Sequence, residues 1–272
     1  MMYQWKKGIS LSFFGDLSHE ILQKVRLCGF DCVELSYREE DYFDRFHFPE
    51  TAEKLKEYCD SIGIELWSIH LPFYPPMDIS GADAANTVKK NTVLIQAAAR
   101  AGVSCTVIHP SFEPIEETER SARLSTAVHY LKELNAIARN EGVRLCLENL
   151  PRTCLGNTSK EMLYLLRETG ASFLFDTNHS LQEHSEEFLC NMIGSGYCPA
   201  SLHVSDYDFV DERHDLPGHG VNHWNEILDL LQEAGYKGPI LYEIRHEVSP
   251  DRMISIEQLT ENINLLLDGK IR

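Results

Sequence analysis

Apolar positions along the chain fall into two alternating kinds of segment. One kind is short and dense in aliphatic and β-branched residues: GISLSF at 8–13, DCVELS at 31–36, IELWSIH at 64–70 and SCTVIHP at 104–110. The series continues with VRLCLEN at 143–149, SFLFDTN at 172–178, ASLHVSD at 200–206 and PILYEIR at 239–245. Hydrophobicity in these runs is continuous rather than alternating, which predicts strands covered on both faces, as in a parallel sheet. The other kind has helical periodicity: HEILQKVRLCG opened by Ser18, AEKLKEYCDSIG, TVLIQAAARAG and AVHYLKELNAIARNEG, then KEMLYLLRETG preceded by Thr158 and Ser159, WNEILDLLQEAGYKG and ISIEQLTENINLLLDG. Each closes on glycine, the residue preferred just past a helix C-terminus.

The strand segments recur about every 33 residues, the length of a βα unit. No Pro-, Ser- or Gly-rich linker interrupts them, so the chain reads as one domain over 1–272. Eight such units predict an α/β fold closed into a (β/α)8 TIM barrel. A doubly wound dinucleotide-binding sheet fits less well, because SFFGDLS after the first strand lacks the glycine-rich fingerprint.

Composition narrows the function classes. With 43% hydrophobic and 10% aromatic residues the chain supports a sizeable core and is not disordered. It carries 25 Lys and Arg against 42 Asp and Glu, a formal net charge of −17. That charge repels phosphodiester backbones, so no nucleic-acid partner is expected. No run reaches the roughly 18 apolar residues of a membrane span, and no membrane partner is expected either. The eight cysteines form no CxxC pair, and the first residues do not read as a secretory signal. Free thiols in a cytoplasmic protein are therefore expected, each a small buried hydrophobe.

In a barrel of this kind the C-terminal strand ends converge on one mouth. Seven of the eight predicted strands deliver an ionisable side chain there. Strands two to four supply Glu34, His70 and His109, and strand five supplies Glu148. Strand six adds Asp176 and His179, strand seven His203 and Asp206, and strand eight Glu243. The loop after strand seven, SDYDFVDERHDLPGHGVNHW, brings Glu212, His214 and His219, with DLPGHG suited to a fixed turn. His223 reads as a solvated loop histidine. Gathering several like charges is costly unless a cation compensates, so the pattern predicts a metal site.

The ordered motifs IHLP, VIHP, LENLP, FDTNH, LHVSD with ERHDLPGHG, and LYEIR resemble those of the xylose isomerase-like TIM-barrel superfamily. That superfamily holds sugar isomerases and epimerases, inosose dehydratases and the endonuclease IV group. Resemblance to the sugar epimerases implies one divalent metal held by Glu148, Asp176, His203 and Glu243, with the two glutamates doubling as acid/base groups. Resemblance to endonuclease IV implies a trinuclear zinc cluster that adds His70, His109, His179, Glu212 and His214, with Glu212 standing where that family has Asp.

Isomerising or epimerising a keto sugar removes a proton next to a carbonyl. A divalent cation on the carbonyl and adjacent hydroxyl stabilises the enediolate, while two flanking carboxylates move the proton. Glu148 and Glu243 are expected as catalytic residues, with Mn2+, Co2+ or Mg2+ suited to the carboxylate-rich set and Zn2+ favoured by the extra histidines. The loop LPFYPPMDISGAD has no Lys or Arg, and SFEPIEETE is strongly acidic. Both read as lids over a small polyol rather than a grip on a duplex. Phe13, Phe14, Phe73 and Tyr74 are candidates to stack on a sugar or to pack the barrel top, and Arg152 and Arg245 are candidate substrate-binding residues. The expectation is a cytoplasmic, metal-dependent sugar or sugar-phosphate isomerase or epimerase, a homodimer or homotetramer. The alternatives are an endonuclease IV-like phosphodiesterase acting on abasic DNA and an inosose-type dehydratase. A degenerate barrel serving as a sugar sensor would lack the glutamates, and both are present.

Overall fold

The computed structural model describes residues 3–36 and 49–271. Eight parallel strands alternate with helices: β1 (Lys7–Ser10), β2 (Cys32–Ser36), β3 (Glu65–His70), β4 (Cys105–Ile108), β5 (Arg144–Glu148), β6 (Ser172–Asp176), β7 (Ser201–His203) and β8 (Ile240–Tyr242). They pair in the order β7-β6-β5-β4-β3-β2-β1-β8. A parallel bridge between Val204 and Tyr242 closes the ring between β7 and β8. Each neighbour is the next strand in sequence, the topology of a TIM barrel.

The surrounding helices are α1 (His19–Leu27), α2 (Pro49–Ile62), α3 (Ala84–Arg100), α4 (Glu117–Asn140), α5 (Ser159–Thr169), α6 (Ser185–Gly194), α7 (Trp224–Glu233) and α8 (Ile256–Leu267). Their starts follow local chemistry. The Ser18 side chain accepts the Ile21 N–H, Thr158 accepts that of Glu161, and Ser255 forms a reciprocal capping box with Gln258. A short antiparallel hairpin of β9 (Glu247–Ser249) and β10 (Arg252–Met253) follows β8.

The helices and strands differ from the sequence expectation in three ways. Helix α6 is absent from the periodic segments named above, yet it buries Phe188, Leu189 and Met192. Helices α3 and α4 begin well before their expected starts, so part of the acidic stretch SFEPIEETE is not loop. Glu117 and Glu119 form the first turn of α4, where negative charge is favoured by the helix dipole. Several strands also end short of their expected limits; Leu11–Phe13 after β1, for example, is a 3-10 turn.

Alternation along each strand decides what faces where. Leu145, Leu147, Phe173 and Phe175 join the main core with helix residues such as Leu131, Leu165 and Phe188. Between them, Cys146 and Leu174 pack with Cys105 and Val107 in a separate cluster, and Cys32 packs with Trp67 and Leu241 in another. These two clusters fill the barrel interior. The residues two positions further along the same interior rows are Glu34, His109, Glu148, Asp176 and Glu243. An apolar plug therefore underlies a polar layer at the C-terminal mouth.

Candidate metal centre

Side chains from four strand ends meet on that layer. One donor atom from each of Glu148, Asp176, His203 and Glu243 lies within 4.8 Å of all the others, and every one of the four residues is buried. His203 is the hub. Its Nδ1 is 3.2 Å from Glu148 Oε1, 3.1 Å from Glu243 Oε2 and 3.8 Å from Asp176 Oδ2. Glu148 reaches a second set with its other oxygen: Oε2 lies 3.1 Å from His70 Nε2 and 3.2 Å from His109 Nε2. A third set joins His179, Glu212 and His214.

The histidines are oriented by what their other ring nitrogen does. His70 Nδ1 donates to the Leu71 carbonyl at 2.8 Å, His179 Nδ1 to Asn149 at 3.0 Å and His214 Nδ1 to Glu243 at 3.1 Å. Each of these bonds leaves Nε2 facing the candidate donor set, as metal-binding imidazoles are commonly held. His203 is held the other way round, with Nε2 at 3.0 and 3.1 Å from the two oxygens of Glu34.

Charge in this layer is unevenly balanced. Burial, reinforced by the Glu148 and Glu243 charges, pushes the Asp176 carboxyl well above the usual carboxylate range. Burial acts on Glu148 and Glu243 too, but His203 outweighs it, aided by His109 and His214 respectively, and both carboxyls are held low. The His203 imidazole is raised well above its ordinary value because Glu34, Glu243 and Glu148 overcome the burial cost. His109 goes the other way, lowered by burial. Asp176 Oδ2 is buried and accepts no hydrogen bond. An orphaned carboxylate oxygen inside a ring of oxygen and imidazole donors fits a hard or borderline divalent cation.

Above this layer opens a cavity of about 270 Å3, lined by His109, Glu148, His179, Glu212, Glu243 and Phe73 among others. The Phe73 ring centroid lies 4.6 Å from that of His70 and 5.1 Å from that of His109, so this aromatic wall belongs to the site. Phe13 and Phe14 line an adjoining cleft with Glu243 and Arg245, while Phe13 also packs into the core.

Arg152 and Arg245 both line the cavity. Arg152 is engaged by three carboxylates: Glu113, Asp211 at 2.7 Å and Glu212 at 2.7 Å. It thereby ties the loops after β4 and β7 to the one after β5. Arg152 and His214 take positive φ values of 50° and 46°, a sparsely populated conformation for non-glycine residues that is found clustered at functional sites. Arg245 lies 3.8 Å from Glu212.

Not every rim residue joins a donor set. Asp206 is fully buried and accepts bonds from the Tyr207, Gly218 and Asn222 N–H groups and from the Trp224 indole. It holds the DLPGHG turn rather than lining the mouth, which corrects the reading of it as a rim group. His219 contacts Arg252, and His223 stands apart from the mouth in a more exposed group with Glu186 and Glu226. All eight cysteines are free. Among the described residues no helix is long and apolar enough to cross a membrane. Glu34 is among the rim residues read from the sequence, but its pairing with His203, 169 residues away, has no local signal.

Among proteins with solved structures, the chain is similar to a D-tagatose 3-epimerase-like protein, with 23% identity, a TM-score of 0.80 and coverage of 97% of this chain and 98% of the other. It is similar to a D-psicose 3-epimerase from Clostridium cellulolyticum at 21% identity, with the same TM-score and coverage. In sequence it is 27% identical to an uncharacterized protein of Methanocaldococcus jannaschii, over 96% of this chain and 90% of that protein. A shorter match, 26% identical, joins 42% of this chain to 45% of an inosose dehydratase from Serratia proteamaculans. Residues 22–266 match the family model, a span that runs from α1 to α8 and takes in every donor described above. With its closed ring of eight strands and its donors gathered at their C-terminal ends, the chain belongs to the xylose isomerase-like TIM barrel family.

Proposed function

We propose that the protein is a divalent-metal-dependent sugar or sugar-phosphate isomerase or epimerase working in the cytoplasm. The observation that carries this reading is the buried set Glu148, Asp176, His203 and Glu243 at the floor of a small cavity. A divalent cation held by these four would supply Lewis-acid stabilisation of negative charge developing on the substrate oxygens. Glu148 comes from β5 and Glu243 from the residue after β8, so the two carboxylates enter the cavity from different parts of the ring. One takes the proton from the carbon beside the carbonyl, and the other returns a proton, a division of labour contributing about 10²–10⁴-fold. Phe73 and the enclosed volume suit a molecule the size of a monosaccharide, and the free thiols suit a reducing compartment. The fold shared with ketose 3-epimerases supports the same chemistry.

The experiment is exchange of the substrate carbon-bound proton with D2O, followed by NMR over a panel of ketohexoses and their phosphates with Mn2+ or Co2+ added. Glu148→Gln and Glu243→Gln each reduce exchange at least a hundredfold while leaving the circular dichroism spectrum unchanged. Native-rate exchange in either variant overturns the acid/base assignment.

A second reading has its own observation. The three donor sets together use nine side chains, with Glu148 common to two of them. Such an arrangement supports a trinuclear, zinc-dependent phosphodiesterase. Three zinc ions per chain by elemental analysis, together with nicking of abasic DNA, would favour it over sugar chemistry. An inosose-type dehydratase instead releases water from its polyol substrate, which the same NMR panel detects.

A further inference from the structure

We propose that Glu34, backed by Ser68, is a positioning residue of the candidate cation site: it accepts the Nε2–H of His203 and so turns the Nδ1 lone pair toward Glu148, Asp176 and Glu243. This rests on the cation-site reading of the preceding section.

The geometry begins in the pairing of β2 with β3. The register runs Val33 to Leu66 and then Glu34 to Ser68, skipping Trp67. Such a bulge sets two successive residues toward one side of the strand. Trp67 accordingly packs in the barrel interior with Cys32 and Leu241, where its indole donates to Ser201 Oγ at 2.9 Å. Ser68 also faces inward, and its hydroxyl donates to Glu34 Oε2 at 2.7 Å. Without the bulge, alternation would send Ser68 to the helix side, and Glu34 would lose that donor.

Glu34, Ser68 and His203 are all fully buried. A buried carboxylate needs a compensating partner, and the partner of Glu34 is the His203 ring. His203 differs here from His70, His179 and His214. Those three donate to backbone carbonyls, whereas His203 is oriented by a side chain. An imidazole with both nitrogens facing carboxylates has no inherent preference for which one meets a cation. Glu34 stands outside the four-donor set, so a proton kept on Nε2 leaves Nδ1 free on the side where the other three donors converge.

The test is binding of Mn2+ to the full chain after chelator treatment, measured by titration calorimetry on the wild type and on Glu34→Gln, Ser68→Ala and His203→Ala. Glu34→Gln keeps the side-chain volume but loses the charge, and weakens Mn2+ binding about 10–100-fold. Ser68→Ala leaves Glu34 in place and weakens it less, by about threefold. It also keeps the proposal testable if Glu34→Gln does not fold. With Zn2+ in place of Mn2+, long-range 1H–15N spectra show a proton on His203 Nε2 in the wild type, and this signal broadens or moves in Glu34→Gln. A merely structural role would lower the melting temperature without changing Mn2+ affinity or the His203 signal. If Glu34→Gln and Ser68→Ala bind Mn2+ within twofold of the wild type while His203→Ala does not bind it, Glu34 has no positioning role and the cation site stands. If His203→Ala also binds like the wild type, the cation site itself is misassigned, and the proposal falls with it.

Discussion

Single side chains in the mouth are distinguished less by type than by what holds them. Cys154 lines the cavity beside Arg152 and Glu212, where a nucleophilic thiolate would be an obvious alternative to carboxylate chemistry. Burial pushes its thiol up to about 12, which disfavours the thiolate near neutral pH. The same cause raises Cys59 to about 12. Cys190 and Cys198 are exposed, which corrects the expectation that every cysteine is buried. Native alkylation with iodoacetamide at pH 8 should therefore label Cys190 and Cys198 while leaving Cys59 and Cys154 unmodified, as read by peptide mass spectrometry. Rapid labelling of Cys154 would mean that its surroundings are more open, or more cationic, than described. Arg152 shows the same dependence on surroundings. A guanidinium after a strand-five motif reads as a hand for substrate, yet three carboxylates already occupy it.

At the level of elements, the strands were the most legible part of the chain, because residues buried on both faces leave an uninterrupted apolar run. Donors such as Glu148 and Asp176 stood out because each is the polar residue that ends such a run. Glu34 was visible as a polar residue in a strand, but its task depends on the β2–β3 bulge and on His203 far along the chain, and no local pattern encodes either. Helix α6 escaped because its segment, SEEFLCNMIG, shows a short apolar cluster rather than a sustained stripe. The loop after β7 was half legible. Its proline and glycines announced a turn, while the buried Asp206 that accepts from Gly218 and Asn222 was mistaken for a rim group. That turn has little slack. A Cβ on Gly220 would run into the Tyr207 carbonyl oxygen and the Asp206 carboxylate. Gly220→Ala should destabilise the protein by about 1–3 kcal/mol, since backbone rather than a flexible side chain must give way. Thermal melting checks this, and an unchanged transition would show that the turn is not so tightly packed.

For the molecule as a whole, the electrostatics of the mouth have a thermodynamic consequence. Buried carboxylates in mutual repulsion weaken the folded state, and a ligand that binds only the folded state restores what they cost. At a hundredfold excess over Kd a bound cation adds about 2.7 kcal/mol. For a chain of this size that corresponds to roughly 5–10 °C in Tm. Calorimetry of chelator-treated protein with and without Mn2+, Co2+ or Zn2+ should show that rise in the wild type and little of it in Glu148→Gln. An equal rise in both proteins would place the stabilising ion elsewhere.

Glu148 sends one oxygen to the His203 set and the other to His70 and His109. The two sets are therefore joined through a single side chain. Removing His70 or His109 breaks only their own set and leaves the four donors Glu148, Asp176, His203 and Glu243 in place. Any replacement of Glu148 dismantles both at once. One carboxylate thus separates the losses the mouth bears one set at a time from the single loss that takes both.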